Sequence, residues 1–410
     1  VAQCDARVIA VERDVLEEVF ERIAEARIFR NRDILRPDYV PETLPHREEQ
    51  IRRLGSILAQ ALKGTKPNNV FIYGLTGTGK TAVARYVLKR LSVKAEELGA
   101  PFTYAYVNCR QSDTAYRVLA DIAESLGLRV PFTGLSTAEV YRRIIRFLKS
   151  RRIILTIVLD EVDFIEKGRG ENLLYRLTRM NGELGGEAQV SIIGITNDVK
   201  FVESLEPRVK SSLGEEELVF PPYNALQLED ILRERAREAF YPGVLEEGVI
   251  SYCAALAARE HGDARRALDL LRVAGEIAER ESSEKVTINH VKHARIEIER
   301  DRVEEVVRSL PLHAKLVLAA MLRLGGHRTV ATTGEVYNTY KALCRAVGVE
   351  EVTQRRVSDI INELDMLGII QARVVSRGRY GKTRLIRLDA SLNAVRRALG
   401  EDYRIAPALP

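Results

Sequence analysis

Eight consecutive residues, Gly74-Leu75-Thr76-Gly77-Thr78-Gly79-Lys80-Thr81, constrain this chain more than any other stretch. An apolar run at 70–73 precedes them, and Val83, Val87 and Leu91 follow at the spacing of one helix face. The pattern is GxxxxGK[ST] between a strand and a helix, and its four fixed positions recur by chance in roughly 1% of chains this long. Gly74, Gly77 and Gly79 let the backbone wrap closely around phosphates at a helix N-terminus, with Thr76 and Thr78 carried in the same loop. Lys80 is placed to reach β- and γ-phosphates, and the Thr81 hydroxyl to ligate Mg²⁺.

A second buried run, Ile157-Val158-Leu159, ends in Asp160-Glu161. In a doubly wound sheet such a strand end lies beside the phosphate loop, because ligands gather at the carboxyl edge. Asp160 would then hold the Mg²⁺ through water, and Glu161 would orient or activate the attacking water. Asp163 carries no such argument and is expected as a loop or capping residue. A further run, Val190-Ser191-Ile192-Ile193-Gly194-Ile195, leads into Thr196-Asn197-Asp198; Asn197 either donates to the γ-phosphate or the attacking water, or closes a plain Asx turn. Strand-like runs at 70–73, 103–107, 153–159, 190–195 and 217–220 alternate with helical patterns. That alternation predicts an α/β fold: a parallel sheet with helices on both faces.

After Pro221-Pro222 the strand signal stops, and residues 226–299 read as helices broken at Pro242-Gly243 and His261-Gly262. This predicts a second, all-helical domain. From residue 302 three helical patterns lead into a β-ribbon. The helix over 333–347 stops at Gly348, and Thr353 is a good N-cap for the next helix. That helix sets Val357, Ile360, Ile361, Leu364 and Leu367 on a core face, and Arg355, Ser358 and Asn362 opposite, flanked by Gln354 and Arg356. Hydrogen-bonding side chains at a helix N-terminus suit a reader of the major groove. The ribbon, 369–375 and 382–388, carries six basic residues and no acidic one between Arg373 and Arg387. Helix-turn-helix plus basic ribbon is a winged helix, in which Arg377, Arg379, Tyr380, Lys382 and Arg384 would meet phosphates and make binding fall with salt. The plain alternative is a protein-contacting winged helix with a solvated wing.

Charge distribution supports the nucleic-acid reading. Residues 301–410 hold 18 Lys/Arg against 12 Asp/Glu, and the rest of the chain holds 45 against 46, so the net +5 sits at the C-terminal end. Four widely separated cysteines, Cys4, Cys109, Cys253 and Cys344, form no CxxC pair, which argues against a zinc site or disulfide framework and for reduced thiols in the cytosol. His290 and His293 have no carboxylate or Cys at ligand spacing and read as a solvated helix face. No apolar run reaches the roughly 18 residues of a membrane span. The absence of Trp, with few Met and Cys among many Arg and Glu, points to a hot environment. An amphipathic helix is expected at 14–26, before a Pro-rich connector.

Taken together, these motifs resemble the AAA+ ATPases, and more narrowly the archaeal origin-recognition/replication-initiator family. The resemblance spans nearly the whole chain. It includes residues 39–48, Tyr-Val-Pro-Glu-Thr-Leu-Pro-His-Arg-Glu, and Val107-Asn108-Cys109-Arg110. It also includes Phe220-Pro221-Pro222-Tyr223 and Gly262-Asp263-Ala264-Arg265-Arg266-Ala267-Leu268-Asp269. By that resemblance Val40, Pro41, His46 and Arg47, with Tyr223, help enclose the nucleotide. Arg265 is the sensor arginine that reaches its phosphates, with Arg266 the alternative. Family members that complete a neighbour's site often carry an arginine near 212, which is Ser here, so Arg208 is either a trans-acting finger or a sheet-edge stabiliser. The helix at 112–126 looks like a family-specific insertion that would bring Arg117 to DNA. The resemblance implies an AAA+ nucleotide-binding domain at 1–225, a helical lid at 226–300 and a winged helix at 301–410. It implies ATP/ADP and Mg²⁺ as cofactors, slow and switch-like hydrolysis, and a cytoplasmic, nucleoid-associated protein. Its partners would be double-stranded origin DNA, the replicative helicase and related initiator paralogues, with no membrane. Two rivals share these motifs: a motor of the clamp-loader or branch-migration kind, and a transcription regulator that uses ATP only as a ligand.

Overall fold

The computed structural model describes residues 28–37, 39–112, 114–131, 134–165, 173–198, 201, 203, 205, 207–213, 216–326, 330–376 and 382–409. The helix expected at 14–26 lies outside them. The chain divides into two compact units, Val1–Val291 and Lys292–Pro410.

In the first unit β1 (Val70–Gly74), β2 (Phe102–Asn108), β3 (Ile154–Asp160), β4 (Gln189–Thr196) and β5 (Glu216–Phe220) form one sheet in the order β2-β3-β4-β1-β5. Every pairing is parallel. Successive side chains in these strands enter two different cores, because a strand alternates its faces. Val70, Ile72, Val158, Ile193 and Ile195 pack against α1 (Glu48–Leu58) and α2 (Lys80–Leu98). Phe71, Leu155, Ile157, Leu159, Val190 and Ile192 pack on the other face. There they meet α3 (Ala115–Ser125), α4 (Thr137–Arg151), α5 (Leu173–Leu184) and the short α6 (Pro207–Leu213). Each large side chain sealed this way contributes about 1.5–3 kcal/mol. β3 is buried along its whole length, as a central parallel strand must be, and this carries Asp160 to the carboxyl edge beside the start of α2.

Three helices follow: α7 (Ala225–Ala239), α8 (Val249–Arg259) and α9 (Ala264–Arg280). Asn224 and Gln227 form a capping box at the start of α7, and the Asp263 carboxylate accepts from the amides of Arg265 and Arg266 at the start of α9. The expected breaks at 242–243 and 261–262 fall between these helices. α10 (Ile288–Ser309) runs on into the C-terminal residues.

The second unit has its own core. α11 (Leu312–Arg323) is covered by α12 (Thr333–Val347), α13 (Gln354–Met366) and α14 (Leu392–Gly400). A small antiparallel sheet joins β6 (Ala331–Thr332), β8 (Lys382–Leu388) and β7 (Ile370–Ser376), in that order. Gly348 ends α12 in the left-handed conformation and the Thr353 side chain caps α13, as the sequence predicts. One core position differs. Val357, Ile360, Ile361 and Leu364 are buried, but Leu367 follows the last turn of α13 and is half exposed.

Candidate nucleotide site and nucleic-acid interface

The loop between β1 and α2 curls over the first turn of the helix. That turn has no side-chain cap, so its amides are left for a ligand. Gly77 and Gly79 have φ of 71° and 88°, a region that costs other residues energy. Both are also crowded. A Cβ on Gly77 would stand 1.6 Å from Asp263 Oδ1, and one on Gly79 would stand 2.9 Å from the Tyr223 hydroxyl. The Ala264 amide donates to the Gly77 carbonyl at 3.1 Å, so the glycine loop and the N-terminus of α9 are joined directly.

One cleft is lined by Val40, Pro41, Gly77, Thr78, Gly79, Lys80, Thr81, Asp160, Glu161, Asn197, Tyr223 and Arg265. These are twelve of the residues predicted from sequence for nucleotide and metal, drawn from six separate stretches of chain. Lys80 is 5% exposed, and its Nζ donates to the carbonyls of Gly74 (2.8 Å) and Leu75 (2.6 Å). Burial pulls its pKa down to about 8, against the opposing attraction of Asp160. Thr81 Oγ1 donates to Asp160 Oδ2 at 2.8 Å. A threonine hydroxyl and a carboxylate side by side, both oxygen donors, suit Mg²⁺ that takes its other ligands from phosphates and water. Among the described residues no group of three or more His, Cys, Asp or Glu could hold a metal alone, so the pair suits a metal arriving with phosphates.

Glu161 has φ 54° and ψ 47°, and its buried Oε2 has no hydrogen-bond partner among the described residues. A buried carboxylate oxygen without a donor is costly, and a water in the cleft would satisfy it. The turn after β4 is closed by Thr196, whose Oγ1 accepts from the Asp198 amide at 3.0 Å and donates to Asp163 Oδ1 at 2.6 Å. Asn197 lines the cleft wall, and residue 199, whose amide an Asx turn at Asn197 would engage, lies outside the described residues. Asp163, expected as a loop or capping residue, instead lies within the short 3-10 helix Val162–Phe164 and takes the Thr196 hydroxyl. Arg265 lines the cleft and pairs with no carboxylate among the described residues, whereas Arg266 is held by Glu260 at 2.9 Å.

Four predicted contacts fall elsewhere. His46 Nε2 lies 2.9 Å from Asp230 Oδ2, and the ring is absent from the cleft wall. Arg47 is also behind the wall. Its Nε donates to the Thr78 carbonyl (2.9 Å), its NH2 to the Pro221 carbonyl (2.7 Å), and its guanidinium sits 3.7 Å from the Tyr223 ring centroid. It braces the loop, and burial lowers its pKa. Thr76 is exposed, and Gly74 ends β1 beneath the loop, where its carbonyl takes the Lys80 ammonium. The sequence reading also missed wall residues: Leu44 beside Val40, Ile231 and Arg235 from α7, and Arg85 with Tyr106. Tyr106 donates to Asp160 Oδ2 at 2.5 Å. Only β2–β3 register, not local spacing, could have revealed it. Arg117 is exposed on α3, which spans Ala115–Ser125 inside the expected 112–126, and Arg208 is exposed on α6.

In the second unit Gln354, Arg355 and Arg356 are exposed on the first turn of α13. Thr353 Oγ1 is used as the cap, Ser358 Oγ donates back to the Gln354 carbonyl (3.0 Å), and Arg356 pairs with Glu363 (3.0 Å). Arg355 has no carboxylate partner among the described residues. Arg384 of β8 donates to Asn362 Oδ1 of α13 at 2.6 Å, tying the ribbon to that helix. Arg377, Arg379, Tyr380 and the Lys382 side chain lie outside the described residues.

Comparison with known proteins agrees with this division of labour. Family models match an AAA domain over residues 63–198, the Cdc6 AAA+ ATPase-type lid domain over 229–296, and the CDC6 C-terminal winged helix domain over 305–398. The chain is 61% identical to the ORC1-type DNA replication protein 1 of Sulfurisphaera tokodaii, over 96% of this chain and 98% of that one. It is 62% identical to the protein of that name from Aeropyrum pernix, over 96% of this chain and all of the other. The structure of the Aeropyrum pernix ORC1 protein in complex with DNA superposes with a TM-score of 0.85, at 62% identity, over 94% of this chain and all of that one. Identity at that level across almost the full length of both chains places this protein in the family of ORC1-type DNA replication proteins.

Proposed function

We propose that this replication initiator works as a nucleotide-dependent switch on origin duplex DNA. An AAA+ ATPase domain, a lid and a winged helix are all present, and the observation that carries the switch is the direct bond between Gly77 and the amide of Ala264. A triphosphate held by that loop would touch the lid through Gly77 on one side and Arg265 on the other. In this reading the domains run 1–225, 226–300 and 301–410. Lys80 and the loop amides neutralise the β- and γ-phosphates, Thr81 and Asp160 hold Mg²⁺, and Glu161 and Asn197 face the attacking water. The bound metal would supply charge neutralisation at the phosphates.

Hydrolysis is slow and switch-like on this reading, because Ser212 stands where a trans-acting arginine is expected and Arg208 is the remaining candidate. Arg355, Gln354 and Arg356 read the major groove, and Arg377, Arg379, Tyr380, Lys382 and Arg384 carry the wing along phosphates, with Arg117 a separate contact from the ATPase domain. The protein marks an origin, helps load the replicative helicase alongside related initiators, and resides with the nucleoid.

Footprinting on chromosomal DNA with ADP, and again with a non-hydrolysable ATP analogue, tests this. Protection of discrete sites that changes in extent between the two nucleotides is expected. Uniform, sequence-independent protection with rapid DNA-stimulated turnover would point instead to a motor.

A further inference from the structure

Asp160 ends β3 at 5% exposure, and its carboxylate receives three donors. The Glu161 amide donates to Oδ1 at 3.0 Å. Oδ2 takes both the Thr81 hydroxyl (2.8 Å) and the Tyr106 hydroxyl (2.5 Å). The third donor is not local. Tyr106 stands on β2, paired with Val158 in the register that sets Asn108 beside Asp160. Its ring packs against the apolar layer under α2, and the Arg85 guanidinium lies 4.1 Å from the ring centroid. Strand below and cation above fix the ring, so the hydroxyl has one place to point. Thr81 gives its only proton to Oδ2 and keeps its lone pairs for a cation.

We infer that Tyr106 is a positioning residue for the metal: by donating to Asp160 it sets the plane of the carboxylate that works with Thr81. The inference rests on the nucleotide-site reading above. Groups that orient a metal's ligands without touching the metal change its affinity by about 10–100-fold when removed. A tyrosine that merely satisfied its own hydroxyl at the rim of the core would influence folding stability and leave metal dependence alone.

The test is Tyr106→Phe, which keeps the ring and its packing. Binding of a fluorescent ADP or ATP is measured in EDTA and across a Mg²⁺ titration, with Lys80→Ala in parallel and melting of the nucleotide-free proteins as a check on folding. For Tyr106→Phe we expect unchanged metal-free binding and a half-saturating Mg²⁺ concentration raised about tenfold. An unchanged Mg²⁺ titration overturns the inference, and so does a loss that is equal with and without metal. Lys80→Ala separates the two readings. If it binds nucleotide normally, the site itself is wrongly placed; if it loses binding while Tyr106→Phe keeps a normal Mg²⁺ response, only the role of Tyr106 fails.

Discussion

Lys80 shows how a single buried charge links this site to pH. Its ammonium is removed from water and held by two carbonyls, and burial brings its pKa down to about 8. Phosphate oxygens would favour the charged form, so binding raises that pKa and takes up a proton once the free protein is partly deprotonated. The sign follows: affinity for ATP falls as pH rises through 8, by up to about tenfold per unit while the bound form stays protonated. Calorimetry at pH 8.5 in buffers of different ionisation enthalpy should register net proton uptake, and pH-independent affinity between 7 and 9 would refute it. Lys80 and Thr81 were legible in the sequence because both close one contiguous motif, Gly74 to Thr81, between a strand and a helix. Tyr106 was not, since its partner is 54 residues distant and meets it only through strand pairing. His46 and Arg47 show the converse error. The connector that carries them was recognised, but which of its side chains face the cleft depends on a fold-level turn, and both ended as braces.

At the level of elements, the alternation of apolar runs and helical patterns gave the five-stranded sheet to within a residue or two at most strand ends. The strand order β2-β3-β4-β1-β5 was not readable, because crossovers are long-range choices. The helix breaks after α7 and α8 were readable because Pro242-Gly243 and His261-Gly262 punctuate them. The joint between the glycine loop and α9 was not, and it is the most testable element contact. Ala at position 77 combines a left-handed φ with a Cβ driven into Asp263. Gly77→Ala should therefore unseat the first turn of α9 and cost about 1–3 kcal/mol. Faster hydrogen exchange at residues 264–268, with weakened nucleotide binding, is the expected outcome, and Thr76→Ala, on an exposed neighbour, should be silent. Unchanged exchange in Gly77→Ala would mean that the loop and the lid are not coupled there.

On the scale of the whole molecule, both units carry ion-pair networks rather than isolated pairs. Glu139 takes Arg142, Arg143 and Arg146, while the nearly buried Glu304 takes Arg300, Arg308 and Arg397. Ion-pair networks gain weight with temperature as the cost of desolvating charge falls. Combined with the composition, this predicts a melting temperature above the mesophile range of about 45–65 °C, read by calorimetry at low and high salt. The exposed Glu139 network should weaken with salt and the shielded Glu304 network less so. A mesophile melting temperature would remove the argument. Finally, Arg47 joins stretches far apart in the chain: the connector, the carbonyl of Thr78 and the exit from β5 at Pro221. With that guanidinium in place the cradle is cast while the protein folds. An arriving cofactor finds its mould already set, and the entropy of shaping the loop is not charged against capture.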